Sequence, residues 1–196
     1  MNRRPLKSRA SGWAVKLAAW LAGTSVTPNQ ISITSMVFAA LAGGAFYLGG
    51  LWLLAAALFI QLRLLCNLLD GMVALEGGKS APDGPFWNEA PDRVSDILII
   101  TGLGYGIGLP ELGWAAAALA IFAAYIRELG SSIGQQSDFA GPMAKPQRMA
   151  LLTLAATLGT FIPQALLYAL WVLLIGTAIT ILRRSFNLVR GLKLKP

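Results

Sequence analysis

The sequence contains no histidine and only one cysteine, Cys66. The absence of histidine excludes a histidine-based catalytic triad, haem ligation by histidine and the usual catalytic zinc sites. A single cysteine excludes an intrachain disulfide, and a small apolar packing residue is the simplest interpretation of Cys66. Metal chemistry would have to use oxygen ligands, which suit hard cations such as Mg²⁺, Mn²⁺ or Ca²⁺.

Charged residues are also scarce. They make up 13% of the 196 residues, whereas a soluble domain carries roughly 25%. Apolar residues make up 56% and recur in runs of about 20 residues, the length that crosses a bilayer as a helix. The composition predicts one all-α integral membrane domain over residues 1–196, with six transmembrane helices after a short interfacial amphipathic helix. The spans are expected at about 29–50, 51–75, 88–109, 111–130, 147–163 and 165–186.

Local signals refine this outline. Residues 11–22 predict a helix on the membrane surface, because Trp13, Leu17, Trp20 and Leu21 share one face. Thr27 is expected to cap span one, with Pro28 at the first helical position. Pro91 leaves two alternatives: it kinks span three if that helix begins before Asn88, or it stands near the helix start. The alternating glycines of residues 102–108 predict close helix packing, within one chain or between two copies.

The basic residues predict the orientation in the membrane. With six spans they all lie toward one side, and the three opposite turns contain no lysine or arginine. By the positive-inside rule that side, with both termini, is cytoplasmic, as expected for a multi-pass protein of the inner or plasma membrane. The charges flank spans and would attract anionic membrane lipids, so nucleic-acid binding is not expected. The residues concerned are Arg3, Arg4, Lys7, Arg9, Lys16, Lys79, Arg93, Arg127, Lys145, Arg148, Arg183, Arg184, Arg190, Lys193 and Lys195.

Polar residues cluster where span two ends and span three begins. Their intervals of three and four residues put each set on one helix face, and carboxylates near hydrocarbon mark a candidate site. Arg63 lies about 10 Å deeper than Asp70 at 1.5 Å per residue, so it needs a partner such as Asn67 or a carboxylate. The acidic and amide residues of this cluster predict a metal-assisted reaction on a phosphate-bearing substrate, at the cytoplasmic mouth of a helical bundle.

This pattern resembles the signature of the CDP-alcohol phosphotransferase family. That signature reads D-x-x-D-G-x-x-A-R, then eight residues, then G-x-x-x-D-x-x-x-D. The chain matches its spacing without a gap, although asparagine replaces two aspartates and Leu75 replaces the arginine. The matching positions are Asn67, Asp70, Gly71, Ala74, Gly84, Asn88 and Asp92.

The resemblance implies the reaction and the role of each residue. A phosphatidyl group would pass from a CDP-linked lipid such as CDP-diacylglycerol to an alcohol, with release of CMP, in phospholipid biosynthesis. One or two Mg²⁺ or Mn²⁺ ions would bridge the diphosphate, and Asp92 would be the catalytic base. The implied metal ligands are Asp70, Asp92, Asn67 and Asn88, with Asp96 as an additional candidate. The implied nucleotide contacts are Gly71, Ala74, Gly84 and Asn29. The implied phosphate or acceptor contacts are Arg63, Lys79, Arg127, Lys145 and Arg148.

Two further expectations concern the partners. If the basic residues of the later spans hold the acceptor, the acceptor is a small anionic alcohol such as glycerol phosphate or an inositol phosphate. A homodimer is expected only by analogy with the family.

Departures from the signature keep other functions open. Asn67 and Asn88 lack the charge of aspartate, which favours a catalytically weakened relative that binds CDP-lipid as the alternative. We hypothesise that Arg63 reaches Asn67 and replaces lost positive charge; a purely structural role is the other interpretation. An ion-coupled transporter is less favoured, because the acids lie at one membrane face with no relay across the bilayer.

Overall fold

The computed structural model describes residues 11–79 and 81–194, which form seven α-helices and no strands. Arg3, Arg4, Lys7, Arg9 and Lys195 lie outside the described residues. The helices are α1 (Gly12–Ala22), α2 (Pro28–Leu48), α3 (Trp52–Glu76), α4 (Gly84–Gly106), α5 (Pro110–Ser132), α6 (Lys145–Gly159) and α7 (Gln164–Lys193). The all-α prediction is therefore confirmed over the described ranges.

Four of these helices, α2, α3, α5 and α7, are long and apolar enough to cross a membrane, which identifies a membrane protein. The other two predicted spans fall short for different reasons. Helix α4 carries four charged residues in its first thirteen positions, and α6 has only 15 residues. The predicted count of six spans is therefore not confirmed by length and composition.

The helix starts follow local sequence signals. Thr27 and Gln30 form a reciprocal capping box at the start of α2: the Thr27 side chain accepts from the Gln30 amide, and the Gln30 side chain accepts from the Thr27 amide. This confirms the predicted cap. Helix α4 begins at Gly84, so Pro91 lies inside it and Asn88 is helical. Because proline has no N–H, the Trp87 carbonyl loses its usual helical donor.

Helices α2 to α7 pack around one main apolar core, in an order that differs from the chain order. Helix α2 contacts α3 and α4, α5 contacts α4 and α7, and α6 contacts α3 and α7. The three short turns therefore join neighbouring helices, as predicted. The main core includes Phe46, Ile60, Ile99, Leu152 and Leu170, one from each of five helices. Helix α1 packs on α3 through Ala14 and Ala18, which leaves Trp13 and Trp20 exposed.

Glycines bring α4 very close to α2 and α5. A Cβ at Gly102 would lie 2.5 Å from the Cα of Gly43, and one at Gly104 would lie 2.7 Å from the Cα of Gly113. A Cβ at Gly106 would meet the backbone of Phe46. These contacts all lie within the chain, so the intramolecular alternative for the small-residue pattern is the one observed. They fix the position of α4, the helix that carries most acidic residues of the site.

Candidate active site

A cavity of about 870 Å³ lies between α3, α4, α5 and α6, with α1 and α7 contributing to its wall. Its lining includes five basic side chains and three acidic ones. This excess of positive charge suits an anionic ligand. The lining includes Trp13, Asn67, Asn88, Asp92, Arg127 and Lys145.

Asp92 is the centre of the polar contacts in this cavity. Its Oδ1 accepts from Arg63 Nη2 at 2.9 Å and from Asn67 Nδ2 at 3.1 Å. Its Oδ2 accepts from Lys145 Nζ, and Lys145 Nζ also donates to Asn67 Oδ1 at 2.5 Å. Arg63 is fully buried, so the partner that its depth requires is an aspartate from the next helix. The structure thus brings together three of the predicted residues around one carboxylate.

Asp96 lies one turn deeper than Asp92 and is also fully buried. Its Oδ2 accepts from Arg148 Nη2 at 2.6 Å, and its Oδ1 lies 4.0 Å from Arg63 Nη2. Asp96 is outside the set of residues that line the cavity, although Arg148 belongs to that set. The ion pair with Arg148 holds α6 against α4, and its positive charge does not favour Asp96 as a metal ligand.

Asp70 has a different environment. It is 5% exposed, and its oxygens accept from the hydroxyl of Ser32 at 2.9 Å and from the amide of Gly71 at 2.5 Å. Both donors are neutral, and Asp70 takes part in no ion pair with a described residue. Of the two signature aspartates, Asp92 pairs with basic side chains, whereas Asp70 pairs with none in the described residues.

The remaining signature residues occupy different parts of the site. Asn88 and Gly84 line the cavity, and a Cβ at Gly84 would meet open space. Gly71 and Ala74 follow Asp70 on α3, outside the cavity lining. Gly71 is buried and Ala74 half-buried, so their roles as nucleotide contacts stay predictions.

Two predicted ligand contacts lie elsewhere in the structure. Lys79 Nζ donates to the carbonyls of Thr24 at 2.6 Å and Val26 at 3.0 Å, so it fastens the loop between α1 and α2. The phosphate-binding role of Lys79 stays a prediction, and Lys79 is outside the cavity lining. Asn29 Nδ2 donates to Asp83 Oδ2 at 3.1 Å at the exposed start of α2 and is not part of the cavity lining.

Arg127 stands on the opposite wall of the cavity. Its Nη2 lies 2.6 Å from each carboxylate oxygen of Glu89, and its guanidinium carbon lies 5.6 Å from the ring centre of Phe139. Glu89 also pairs with Arg93 at 3.5 Å. Arg127 Nε also donates to Glu128 at 2.8 Å, so two glutamates hold its guanidinium beside the cavity.

Three residues of the site are absent from the sequence predictions of site residues. Arg93 lies 3.6 Å from Asp92, Arg184 lines the cavity from α7, and Ser32 binds Asp70. Arg93 adjoins Asp92 and Arg184 follows a long apolar run, so charge alone could have suggested both. No local pattern distinguishes Ser32 from the other hydroxyl residues of α2.

The oxygen atoms of the site decide whether it suits a divalent cation. No group of three or more acidic, cysteine or histidine side chains in the described ranges is arranged to hold a metal. Both oxygens of Asp92 already accept from basic groups. Asp70 is a buried carboxylate that accepts only from neutral donors. Because a buried negative charge is costly without a positive partner, a bound cation would stabilise it. Asp70 is therefore the carboxylate of the site where a divalent cation would meet no competing basic group, although Asp70 itself is outside the cavity lining.

Comparison with known proteins identifies the family. No protein-family model matches the chain. The bifunctional IPC transferase and DIPP synthase of Rubrobacter xylanophilus is 35% identical over 177 residues, which cover 87% of this chain and 39% of that protein. The archaetidylinositol phosphate synthase of Aeropyrum pernix is 32% identical over 148 residues, which cover 73% of each chain. The chain belongs to the CDP-alcohol phosphotransferase family.

A solved CDP-alcohol phosphotransferase has the same fold. It is the phosphatidylinositol phosphate synthase of Mycobacterium tuberculosis with CDP-DAG bound, at a TM-score of 0.80 and 23% identity over 91% of this chain and 94% of that one. The same enzyme in complex with manganese and citrate has a TM-score of 0.79 at 22% identity, over 89% of this chain and 88% of that one. Because its sequence relatives place the chain in this family, the chain is a phospholipid-synthesising transferase, which moves a phosphatidyl group from a CDP-linked lipid to an alcohol.

Proposed function

We propose that the chain transfers the phosphatidyl group of CDP-diacylglycerol, or of a closely similar CDP-lipid, to a phosphorylated alcohol such as an inositol phosphate. The observation that carries this proposal is the cavity, whose lining includes five basic side chains together with the carboxylate of Asp92. An acceptor that carries a phosphate would add negative charge, which Arg127 and Arg184 on α5 and α7 are placed to balance. The names of the inositol phosphate-using relatives are consistent with this acceptor class.

In the reaction, the acceptor hydroxyl attacks the phosphorus that carries the lipid. A bond forms between the acceptor oxygen and that phosphorus, and the bond from phosphorus to the oxygen of CMP breaks, so that CMP leaves with the electron pair. We assign Asp92 as the group that takes the hydroxyl proton. Arg63 and Asn67 hold Oδ1 of Asp92, which fixes the orientation of the carboxylate toward the cavity.

The diphosphate would lie near the ends of α3 and α4. Asp70 and Asn88 are the residues we assign to a divalent cation, Mg²⁺ or Mn²⁺. When bound, this ion would neutralise charge on the diphosphate and on the departing CMP. Gly84 lines the same cavity with open space beside its Cα, which would let a nucleotide approach the backbone of α4 closely.

We propose that all six helices from α2 to α7 cross the membrane. Helix α4 packs between α2 and α5, and α6 packs between α3 and α7. The charges of α4 are paired inside the protein, so hydropathy understates how well this helix suits the bilayer. Six spans put both termini and the cavity on the cytoplasmic side of the inner or plasma membrane. Cysteines introduced at the 49–51 turn and at residue 136, in a Cys66→Ala background, should react with impermeant reagents from opposite sides.

A homodimer remains part of the proposal by family analogy. The small-residue pattern of α4 already packs against α2 and α5 within the chain, so a dimer interface would use other helices. Chemical cross-linking of the membrane-embedded protein tests this: a dimer-sized product is expected.

The decisive assay measures release of CMP from CDP-diacylglycerol by the purified full-length chain. Matched acceptors differ by one phosphate: inositol against inositol phosphate, and glycerol against glycerol phosphate. Release is expected only with the phosphorylated acceptors and only with Mg²⁺ or Mn²⁺ present. Release with the unphosphorylated acceptors alone would overturn the acceptor class.

A catalytically weakened relative is the second candidate, and the two asparagines of the signature favour it. Tight binding of CDP-diacylglycerol with no CMP release, across every acceptor and both metals, would support this candidate against the enzyme. Ion-coupled transport has weaker support, because the buried ion pairs of α3, α4 and α6 lie at one end of the bundle.

A further inference from the structure

We propose that the ammonium group of Lys145, together with the guanidinium of Arg63, takes the place of a second metal ion at Asn67 and Asp92. The site then holds a single divalent cation, at Asp70. This inference deepens the proposed phosphatidyl transfer and rests on it for its catalytic meaning. It concerns the number of ions, which can be measured without the reaction.

The first support is the position of Lys145. Its Nζ donates to Asn67 Oδ1 at 2.5 Å and to Asp92 Oδ2. These two residues hold the first and the last acidic positions of the family signature. One ammonium group from α6 therefore joins the side chains of α3 and α4 that a metal ion would otherwise join.

The second support is the other oxygen of Asp92. It accepts from Arg63 Nη2 at 2.9 Å, and Arg63 is fully buried. Arg93 Nη2 lies 3.6 Å from Oδ2 as well. A divalent ion at these oxygens would be repelled by two or three positive groups in a region of low polarity. Asp92 thus has its counter-charge built into the chain.

The third support is the identity of residue 67. As an asparagine, it accepts from Lys145 through its oxygen and donates to Asp92 through its nitrogen. An aspartate at this position could not donate to Asp92, and two carboxylates would then stand side by side. The amide therefore suits a lysine at this position, whereas an aspartate suits a metal ion.

Asp70 supplies the contrast within the same site. Its donors are the Ser32 hydroxyl and the Gly71 amide, and it pairs with no basic residue of the described chain. The two aspartates of the signature are therefore unequal. One is neutralised by side chains, and the other is a buried negative charge that a cation would stabilise.

The test counts bound ions. Mn²⁺ alone is titrated into the purified full chain without lipid or acceptor, and bound Mn²⁺ per chain is measured by calorimetry and by electron paramagnetic resonance of the free ion. One ion per chain is expected. Asp70→Asn should remove it, whereas Lys145→Met and Arg63→Met combined with Asn67→Asp should bind two. Lys193→Met, which removes an exposed lysine at the end of α7, is the matched control and should bind one.

Three results would overturn the inference: two ions or none on the unaltered chain, one ion retained by Asp70→Asn, or one ion in the triple variant with an unchanged helical circular dichroism spectrum. If a variant misfolds, the count on the unaltered chain still decides. A chain that binds one ion and releases no CMP would contradict the proposed reaction while leaving this inference standing. The two failures are therefore distinguishable.

Discussion

The two halves of helix α4 are held in place by different forces. In the first half, Asp92 and Asp96 form ion pairs with side chains from α3 and α6. In the second half, Gly102 and Gly104 bring the backbone against Gly43 and Gly113. Charged contacts depend on the ions and ligands nearby, whereas glycine packing depends on shape alone. One end of the helix can thus exchange partners during a reaction while the other end keeps its position.

Asp92→Asn changes only the charged first half of α4, and it should have the largest effect on the rate of CMP release. Removing the proposed base should lower the rate of CMP release by about 10²- to 10⁴-fold. The melting temperature should fall as well, because the buried Arg63 loses its carboxylate partner. Glu76→Gln, an exposed change at the end of α3, should leave the rate unchanged. A rate within threefold of the unaltered enzyme would remove Asp92 from the role of base.

Gly102→Ala tests the other half. The new Cβ would overlap the Gly43 backbone, and overpacking of this kind costs about 1–3 kcal/mol of unfolding free energy. Denaturant melts in detergent measure the change. Gly44→Ala is the matched control because a Cβ there meets nothing within 4 Å; it should be neutral or stabilising. Equal stability of the two variants would contradict the close approach of α4 to α2.

Ser32→Ala should have a smaller effect, confined to the cation site. The hydroxyl orients Asp70 from 2.9 Å, and loss of such a supporting contact weakens metal affinity by roughly 10- to 100-fold. Mn²⁺ titration measures the change. Ser35→Ala, one turn further along α2, removes a hydroxyl 3.5 Å from the Arg63 carbonyl instead and should leave affinity within twofold.

Leu75→Arg should have the smallest effect, although it restores the arginine of the family signature. Leu75 is 66% exposed and lies outside the cavity lining, so an arginine there would not reach the charge around Asp92. Stability should change by less than about 0.5 kcal/mol, and CMP release should stay within twofold. A large gain in CMP release would show that the missing arginine limits the enzyme.

The sequence predicted the parts of the site that lie on one helix. Intervals of three and four residues placed Arg63, Asn67 and Asp70 on one stripe of α3, and the depth of Arg63 predicted an acidic or amide partner. The structure supplies that partner from α4. The family, and with it the class of reaction, also followed from spacing along the chain.

Contacts between helices were harder to predict. Lys145 is 78 residues from Asn67 and 53 from Asp92, and their meeting depends on the rotation and depth of α6 in the bundle. Lys79 was assigned to phosphate binding from its charge near a span end, and its contacts with the carbonyls that follow α1 were not predicted. The count of spans was uncertain for a related reason: the charges of α4 are neutralised by partners that hydropathy does not register.

Arg63 has one more consequence. A metal ion can be removed by a chelator or lost when the cell is short of it, but a side chain is always present at one copy per chain. The full burial of Arg63 also shields its interaction with Asp92 from dissolved salt. The positive potential at the floor of the cavity should therefore persist through starvation for divalent ions and through swings in ionic strength.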